Sequence, residues 1–187
     1  PWNHQNFDPY YTMVRHVKGK DGKFTHEYGL FDEWVAFAQE CGLGPQIHCY
    51  TMVTWGNLVH YIDGVTGDRI AEKLVPGTPA HEAFWGPFLA DFQRHVESKG
   101  WLGNTYVAID ERSREELMAS ASILKKYAPG LRIQMAGNRP PSTFEGIAIH
   151  NYSQGMRANY VTQAFKDEVS VRRSKGYVTT TYICCNP

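Results

Sequence analysis

The run Thr105-Tyr-Val-Ala-Ile-Asp-Glu-Arg-Ser113 joins an apolar strand, two acidic residues and the start of a helix. Its apolar half is typical of a strand that is buried on both faces of a parallel sheet. Ser113 and Glu116 have the spacing of a capping box, which predicts that a helix begins directly after the acidic pair. Asp110 and Glu111 are therefore predicted to lie in a βα loop at the carboxyl end of a strand, where α/β enzymes build their sites.

Helix and strand patterns alternate on both sides of this run. Apolar residues at helical spacing predict helices over about 30–38, 79–96, 114–127 and 157–174. Short apolar runs predict strands at 46–52, 105–109, 131–136, 146–150 and 177–185. The sequence Asp63-Gly-Val-Thr-Gly67 predicts a tight hairpin turn within a long polar stretch. Strands separated by helices indicate βαβ units and a mostly parallel sheet.

Two architectures compete for this alternation: an open doubly wound sheet and part of a (β/α)8 barrel. The chain has 187 residues, which suits one domain. A complete barrel typically needs about 250 residues, and about five predicted strands are too few to close one. No glycine-rich phosphate-binding sequence follows any strand, which weakens the nucleotide-binding form of the open sheet.

Composition excludes several classes of partner. The 19 Lys and Arg balance 19 Asp and Glu, so the formal net charge is +0. A balanced charge argues against nucleic acid or an anionic membrane as the main partner. No apolar stretch is long enough to span a bilayer, and the mean hydropathy is −0.44.

Two explanations are open for the acidic pair. The carboxylates of Asp110 and Glu111 could simply favour the positive end of the following helix dipole. Ser113 and Glu116 already fill the capping roles, however, so a functional role for the pair is the stronger explanation. No metal-binding motif accompanies the pair, the four cysteines lack zinc-ligand spacing, and G-x-S-x-G is absent. We therefore expect no cofactor and no metal.

Further polar and aromatic side chains lie in or just after predicted strands. They are Tyr50, Trp55, Asn138, His150, Asn151, Tyr152 and Tyr182. Hydroxyl, amide, imidazole and indole groups with little lysine suit a neutral polyol better than a phosphate. We expect Asp110, Asn138 and His150 to converge at one edge of the sheet. Trp55 and Tyr152 are expected to lie in the pocket, with at least one ring face offered to a sugar.

The run 100–112 resembles glycoside hydrolase family 123 and its DUF4091-type relatives. The segments 1–5, 46–52, 135–138 and 182–187 share this resemblance. It implies a retaining exo-β-N-acetylgalactosaminidase on a (β/α)8 barrel, with Glu111 as general acid/base and Asp110 holding the substrate's 2-acetamido group. It adds His4, in the first of these segments, to the candidate substrate-binding residues.

The resemblance also implies the extent, partner and location of the protein. Residues 1–187 would be one partial catalytic domain of five to six βα units, an incomplete barrel without its first and last strands. The partner would be a glycan or glycolipid with terminal β-linked N-acetylgalactosamine. The location would be secreted, periplasmic or at the bacterial cell surface. A non-catalytic carbohydrate-binding protein on a degenerate barrel is the alternative, and a metal-dependent hydrolase is a weaker third.

The adjacency of the two acids favours one mechanism. Retaining glycosidases that use a carboxylate nucleophile hold their two carboxylates about 5–5.5 Å apart, on opposite sides of the anomeric carbon. Adjacent residues such as Asp110 and Glu111 cannot easily flank one bond in that way. Their adjacency suits substrate-assisted catalysis, in which the 2-acetamido oxygen attacks the anomeric carbon and forms an oxazolinium ion.

Overall fold

The computed structural model describes residues 12–138, 141–144, 146–155 and 161–183. The α-helices of this part are α1 Gly29–Glu40, α2 Pro79–Ser98, α3 Arg114–Tyr127 and α4 Gln163–Ser174. Its strands are β1 Arg15–Lys18, β2 Phe24–Glu27, β3 Ile47–Tyr50, β4 Leu58–Asp63, β5 Arg69–Lys73, β6 Thr105–Ile109, β7 Arg132–Gly137, β8 Ile149–Gly155 and β9 Val178–Tyr182. Within these ranges, no helix combines the length and apolar character needed to cross a membrane.

Five strands form an all-parallel sheet in the order β3-β6-β7-β8-β9. Successive residues of a strand point to opposite faces, so each strand contributes alternate residues to each face of the sheet. One face packs against the helices and supplies much of the hydrophobic core, including Val107, Ile109, Ile133, Met135 and Ile149. Strand β6, which lies between β3 and β7, is buried along its whole length, as its apolar sequence predicts.

The other face of the parallel sheet is polar. In the register, His48 of β3 pairs with Tyr106 of β6, and Tyr50 pairs with Ala108. Ala108 pairs with Gln134 of β7, which in turn pairs with Asn151 of β8. Ser153 of β8 pairs with Thr180 of β9. These residues therefore share one face, opposite the helices. Because the chain supplies hydroxyl, amide and imidazole groups there, this face can bind a polar ligand.

Four further strands form a separate mixed sheet in the order β2-β1-β4-β5. This sheet packs against α2 through aromatic rings. The ring centroids of Phe24 and Phe84 lie 5.0 Å apart, and those of His16 and Phe88 lie 4.9 Å apart. Edge-to-face contacts of this kind add to the apolar burial that holds the sheet on the helix.

The prediction of an incomplete (β/α)8 barrel is wrong, whereas the α/β class fits the structure. The structure has an open parallel sheet with β3 and β9 at its edges, together with the mixed sheet. Strands β1, β2 and β5 of the mixed sheet are short and mostly half-exposed or exposed, so their sequences carry no apolar run that would reveal them. The hairpin turn at 63–67 is confirmed, since β4 and β5 pair antiparallel on either side of it.

Two predicted boundaries in the second half of the chain were displaced. β8 was predicted at 146–150 but runs Ile149–Gly155, so its polar residues belong to the strand. The last helix was predicted from about residue 157 but begins at Gln163, because the Thr162 side chain caps it by accepting from the Phe165 N–H at 3.2 Å. The shift of β8 moves His150 to the beginning of its strand.

The buried His16 predicts an acid-sensitive fold. Burial, together with the nearby His26, lowers the pKa of His16 from 6.5 to about 3. Between these values the unfolded chain binds a proton that the folded chain does not, so stability is lost as the pH falls. The loss attributable to His16 should be about 2 kcal/mol between pH 7 and pH 5.

Urea unfolding of the wild type and of His16→Phe at both pH values measures this loss. The variant should lose about 2 kcal/mol less than the wild type on acidification. Equal losses in the two proteins would contradict the burial of a neutral imidazole at this position.

Candidate active site

A four-residue loop, Asp110 to Ser113, carries the acidic pair from β6 to α3. The capping box is present as predicted: the Glu116 N–H donates to Ser113 Oγ at 3.2 Å, and the Ser113 N–H donates to Glu116 Oε2 at 3.1 Å. These bonds satisfy backbone donors at the start of α3 without using either carboxylate of the pair. Asp110 is half-buried and Glu111 is exposed, so both remain available at the carboxyl edge of the sheet.

Glu111 receives a hydrogen bond from the far edge of the sheet. Tyr182, the last residue of β9, donates its hydroxyl to Glu111 Oε1 at 2.9 Å. Strand β9 is separated from β6 by β7 and β8. The contact therefore connects the edge strand β9 to the loop after β6 at the carboxyl edge of the sheet. It places Tyr182 beside the acidic pair.

Tyr50 at the end of β3 faces Asp110. Burial raises the pKa of Tyr50, and the negative charge of Asp110 raises it further, while a hydrogen bond from the Gln134 side chain opposes this rise. Tyr50 remains 61% exposed, so its ring is available to a ligand. Asp110, Tyr50 and Gln134 therefore lie together on the polar face.

The sequence alone does not single out Gln134 as a site residue. It is 2% exposed in the middle of β7, and its Oε1 has no hydrogen-bond partner among the described residues. A buried amide in an otherwise apolar strand is a signal that could have identified it, because buried polar groups normally have a partner or a function.

A second missed residue, His81 of α2, holds the loop that follows β3. Its Nε2 donates to the Met52 carbonyl at 2.8 Å, and burial lowers its pKa, which favours the neutral ring. Met52 has a φ of 66°, a conformation that residues other than glycine seldom adopt. The buried histidine therefore fixes the backbone directly after Tyr50.

His150 was expected to converge with Asp110 and Asn138, and Tyr152 to lie in the pocket; the structure does not bring either residue to the acidic pair. His150 lies near the amino end of β8, where its Nδ1 accepts from the Ile133 N–H at 3.3 Å. Tyr152 is fully buried on the helix-facing side, with the Arg172 guanidinium 5.8 Å from its ring centroid. The cause is an irregularity in the register of β7 with β8, which pairs Ile133 with Ile149 but Gln134 with Asn151. One extra residue in β8 reverses which side chains face the site.

The remaining predicted site residues fall into three groups. Asn138 is exposed directly after β7, at the same edge as the acidic pair. Asn151 is on the polar face, but it is 1% exposed, and its amide contacts Gln46 Oε1 at 3.2 Å and His48 Nε2 at 3.3 Å, so it ties β8 to β3. His4 and the side chain of Trp55 lie outside the described part of the chain.

Comparison with known proteins gives one family and one informative structure. The sequence model described as "Glycoside hydrolase 123, catalytic domain" matches residues 1–187. A solved family 123 glycoside hydrolase from Clostridium perfringens, described in connection with glycolipid glycan hydrolysis, is similar at a TM-score of 0.87 and 28% identity. The match covers 100% of this chain and 34% of that chain, so this chain spans about a third of its length. No curated protein matches this chain.

The effect of the Asp110 charge on Tyr50 predicts a shift in the titration of Tyr50. In Asp110→Asn the negative charge that opposes the phenolate is gone, so the pKa of Tyr50 should fall. Carbon-13 NMR of ζ-labelled tyrosine follows this titration directly. Glu111→Gln is the matched control and should leave Tyr50 unchanged. An unchanged Tyr50 pKa in Asp110→Asn would show that the two groups do not face each other.

Proposed function

The chain belongs to the glycoside hydrolase 123 catalytic-domain family, and we propose that it carries the reaction centre of a retaining exo-β-N-acetylgalactosaminidase. Family membership makes hydrolysis of a glycosidic bond the class of reaction. One observation supports the finer proposal most strongly. The half-buried Asp110 and the exposed Glu111 follow one another at the carboxyl end of β6, and neither is used to cap α3.

In the first step the acetamido oxygen of the substrate attacks the anomeric carbon as the bond to the leaving oxygen breaks. Glu111 gives its proton to that oxygen, so the aglycone leaves as a neutral alcohol. Asp110 accepts a hydrogen bond from the acetamido N–H, which orients the nucleophilic carbonyl. Its negative charge also stabilises the positive charge that develops on the oxazolinium ring.

In the second step water attacks the anomeric carbon and opens the oxazolinium ring. Glu111, now a carboxylate, takes the proton from this water and returns to its starting state. The anomeric centre is inverted twice, so the β-configuration is retained. The aglycone leaves from the β-face of the sugar and water later enters on that same face, so Glu111 serves both steps there. The acetamido oxygen attacks from the opposite face, so no protein carboxylate has to act as the nucleophile, which is compatible with carboxylates on adjacent residues.

The chemistry of the polar face supports a neutral sugar as substrate. Tyr50 and Asn138 are exposed next to the acidic pair and offer a phenol and an amide to sugar hydroxyls. We propose a glycan or glycolipid with terminal β-linked N-acetylgalactosamine, and the description of the similar Clostridium perfringens protein supports this class. A secreted, periplasmic or cell-surface location in a bacterium is part of the same proposal.

Substitution of the acidic pair separates the two proposed roles. In the full-length natural protein, Glu111→Gln should slow cleavage of an alkyl β-N-acetylgalactosaminide by about 10²–10⁴-fold. It should slow a dinitrophenyl glycoside much less, because that leaving group needs little protonation. Asp110→Asn should slow both substrates to a similar extent, since attack by the acetamido oxygen is common to them. Single-turnover kinetics with both glycosides measure this difference.

The control for this experiment is Glu97→Gln on α2, an exposed acid in a helix remote from the loop. It should leave the rates unchanged. A Glu111→Gln protein that retains full activity on the alkyl glycoside would contradict the proposal. A wild type that binds the glycoside without cleaving it would favour the carbohydrate-binding alternative.

The substrate itself provides a second prediction. Replacing the 2-acetamido group by hydroxyl removes the internal nucleophile, so hydrolysis should slow by at least about 10³-fold. Initial rates on matched nitrophenyl β-N-acetylgalactosaminide and β-galactoside measure this directly. Comparable rates on the two substrates would overturn the substrate-assisted mechanism.

A further inference from the structure

We propose that Tyr182 is a positioning residue for Glu111, and that Gly155 keeps open the space which the tyrosine ring needs to reach it. This inference rests on the proposed role of Glu111 as the acid and base. The contact that carries it is the hydrogen bond from Tyr182 Oη to Glu111 Oε1 at 2.9 Å. It assigns Tyr182 to the carboxylate, whereas the sequence suggested that Tyr182 contacts the substrate.

The hydrogen bond restricts a side chain that would otherwise be free to move. Glu111 is exposed, and fixing an exposed glutamate side chain in one rotamer costs conformational entropy. The hydrogen bond from Tyr182 fixes this rotamer in the free protein. Tyr182 occupies Oε1 as an acceptor and leaves Oε2 to carry the transferred proton. The carboxyl group is therefore oriented before substrate arrives.

The same bond favours the charge that Glu111 acquires in the first step. A hydroxyl that donates to a carboxylate stabilises the charged form over the protonated one. Loss of the proton to the leaving oxygen turns Glu111 into that charged form. Tyr182 thus stabilises the carboxylate that Glu111 becomes as the bond to the leaving oxygen breaks.

Gly155 explains how the ring reaches across the sheet. It pairs with Tyr182 in the register of β8 with β9, so the two residues share a face. A Cβ placed on Gly155 would lie 3.2 Å from Tyr182 Oη and 3.3 Å from Cζ. The ring therefore lies over the glycine backbone. Glycine in a strand often marks a site where another group approaches the backbone closely, and Gly155, the last residue of β8, is such a site.

Three variants of the full-length natural protein test the inference. Tyr182→Phe removes the hydroxyl and keeps the ring. Gly155→Val keeps the Tyr182 hydroxyl but displaces the Tyr182 ring. Gly155 does not have a positive φ, so its backbone conformation tolerates a side chain. Tyr177→Phe is the matched control, because Tyr177 packs against His150 with ring centroids 5.3 Å apart, at the opposite end of the sheet.

Tyr182→Phe and Gly155→Val should each lower kcat about tenfold while KM changes less than about twofold. In both, the loss should be larger for an alkyl glycoside than for a dinitrophenyl glycoside, because only the alkyl leaving group needs the proton of Glu111. Thermal unfolding should be close to that of the wild type for Tyr182→Phe, and Tyr177→Phe should leave kcat unchanged on both glycosides.

A spectroscopic measurement independent of turnover separates failure of this inference from failure of the proposed function. The side-chain carboxyl of Glu111, labelled with carbon-13, should change its chemical shift at fixed pH in Tyr182→Phe, because it loses a hydrogen-bond donor. An unchanged chemical shift, or a raised KM with an unchanged kcat, would overturn the inference. A changed chemical shift in a protein whose Glu111→Gln variant is fully active would support the contact and reject the catalytic role of Glu111.

Discussion

The capping box at the start of α3 is the constraint on which the candidate site depends. The bond from the Glu116 N–H to Ser113 Oγ, with its reciprocal partner, fixes where the helix begins. Only four residues, the last of them the capping Ser113, then remain between the buried strand β6 and the helix. If the strand continued through Asp110 and Glu111, their side chains would point to opposite faces. Ending the strand there allows both carboxylates to lie at one edge of the sheet.

Packing in the rest of the molecule keeps the carboxyl edge of the parallel sheet rigid and leaves polar side chains beside it. The helix face of the parallel sheet is filled by side chains such as Leu89, Val107 and Leu117, each essentially inaccessible to solvent. This apolar packing leaves the opposite face to amides and hydroxyls, which a sugar can engage. The His81 bond to the Met52 carbonyl fixes the loop beside Tyr50. The candidate site therefore lies at strand ends whose backbones are fixed by apolar packing on the helix face of the sheet.

Local patterns in the sequence predicted the local structure, including β6, the cap at Ser113 and the hairpin turn at 63–67. They did not predict which strands pair over long distances, so the mixed sheet was missed and an incomplete barrel was wrongly inferred. The extra residue at His150 is invisible in the sequence, yet it alone turns Tyr152 away from the site. Gln134 and Tyr182 acquire their roles only through partners on other strands, which spacing along the chain does not reveal.

The most direct test of the account is a crystal structure of the protein bound to a thiazoline analogue of N-acetylgalactosamine, which mimics the oxazolinium ion. Asp110 should lie within hydrogen-bond distance of the thiazoline nitrogen. Glu111 should lie beside the anomeric carbon, and Tyr182 should still donate its hydrogen bond to Glu111. An analogue bound with its thiazoline ring away from Asp110, or a wild type that does not bind it, would contradict the account.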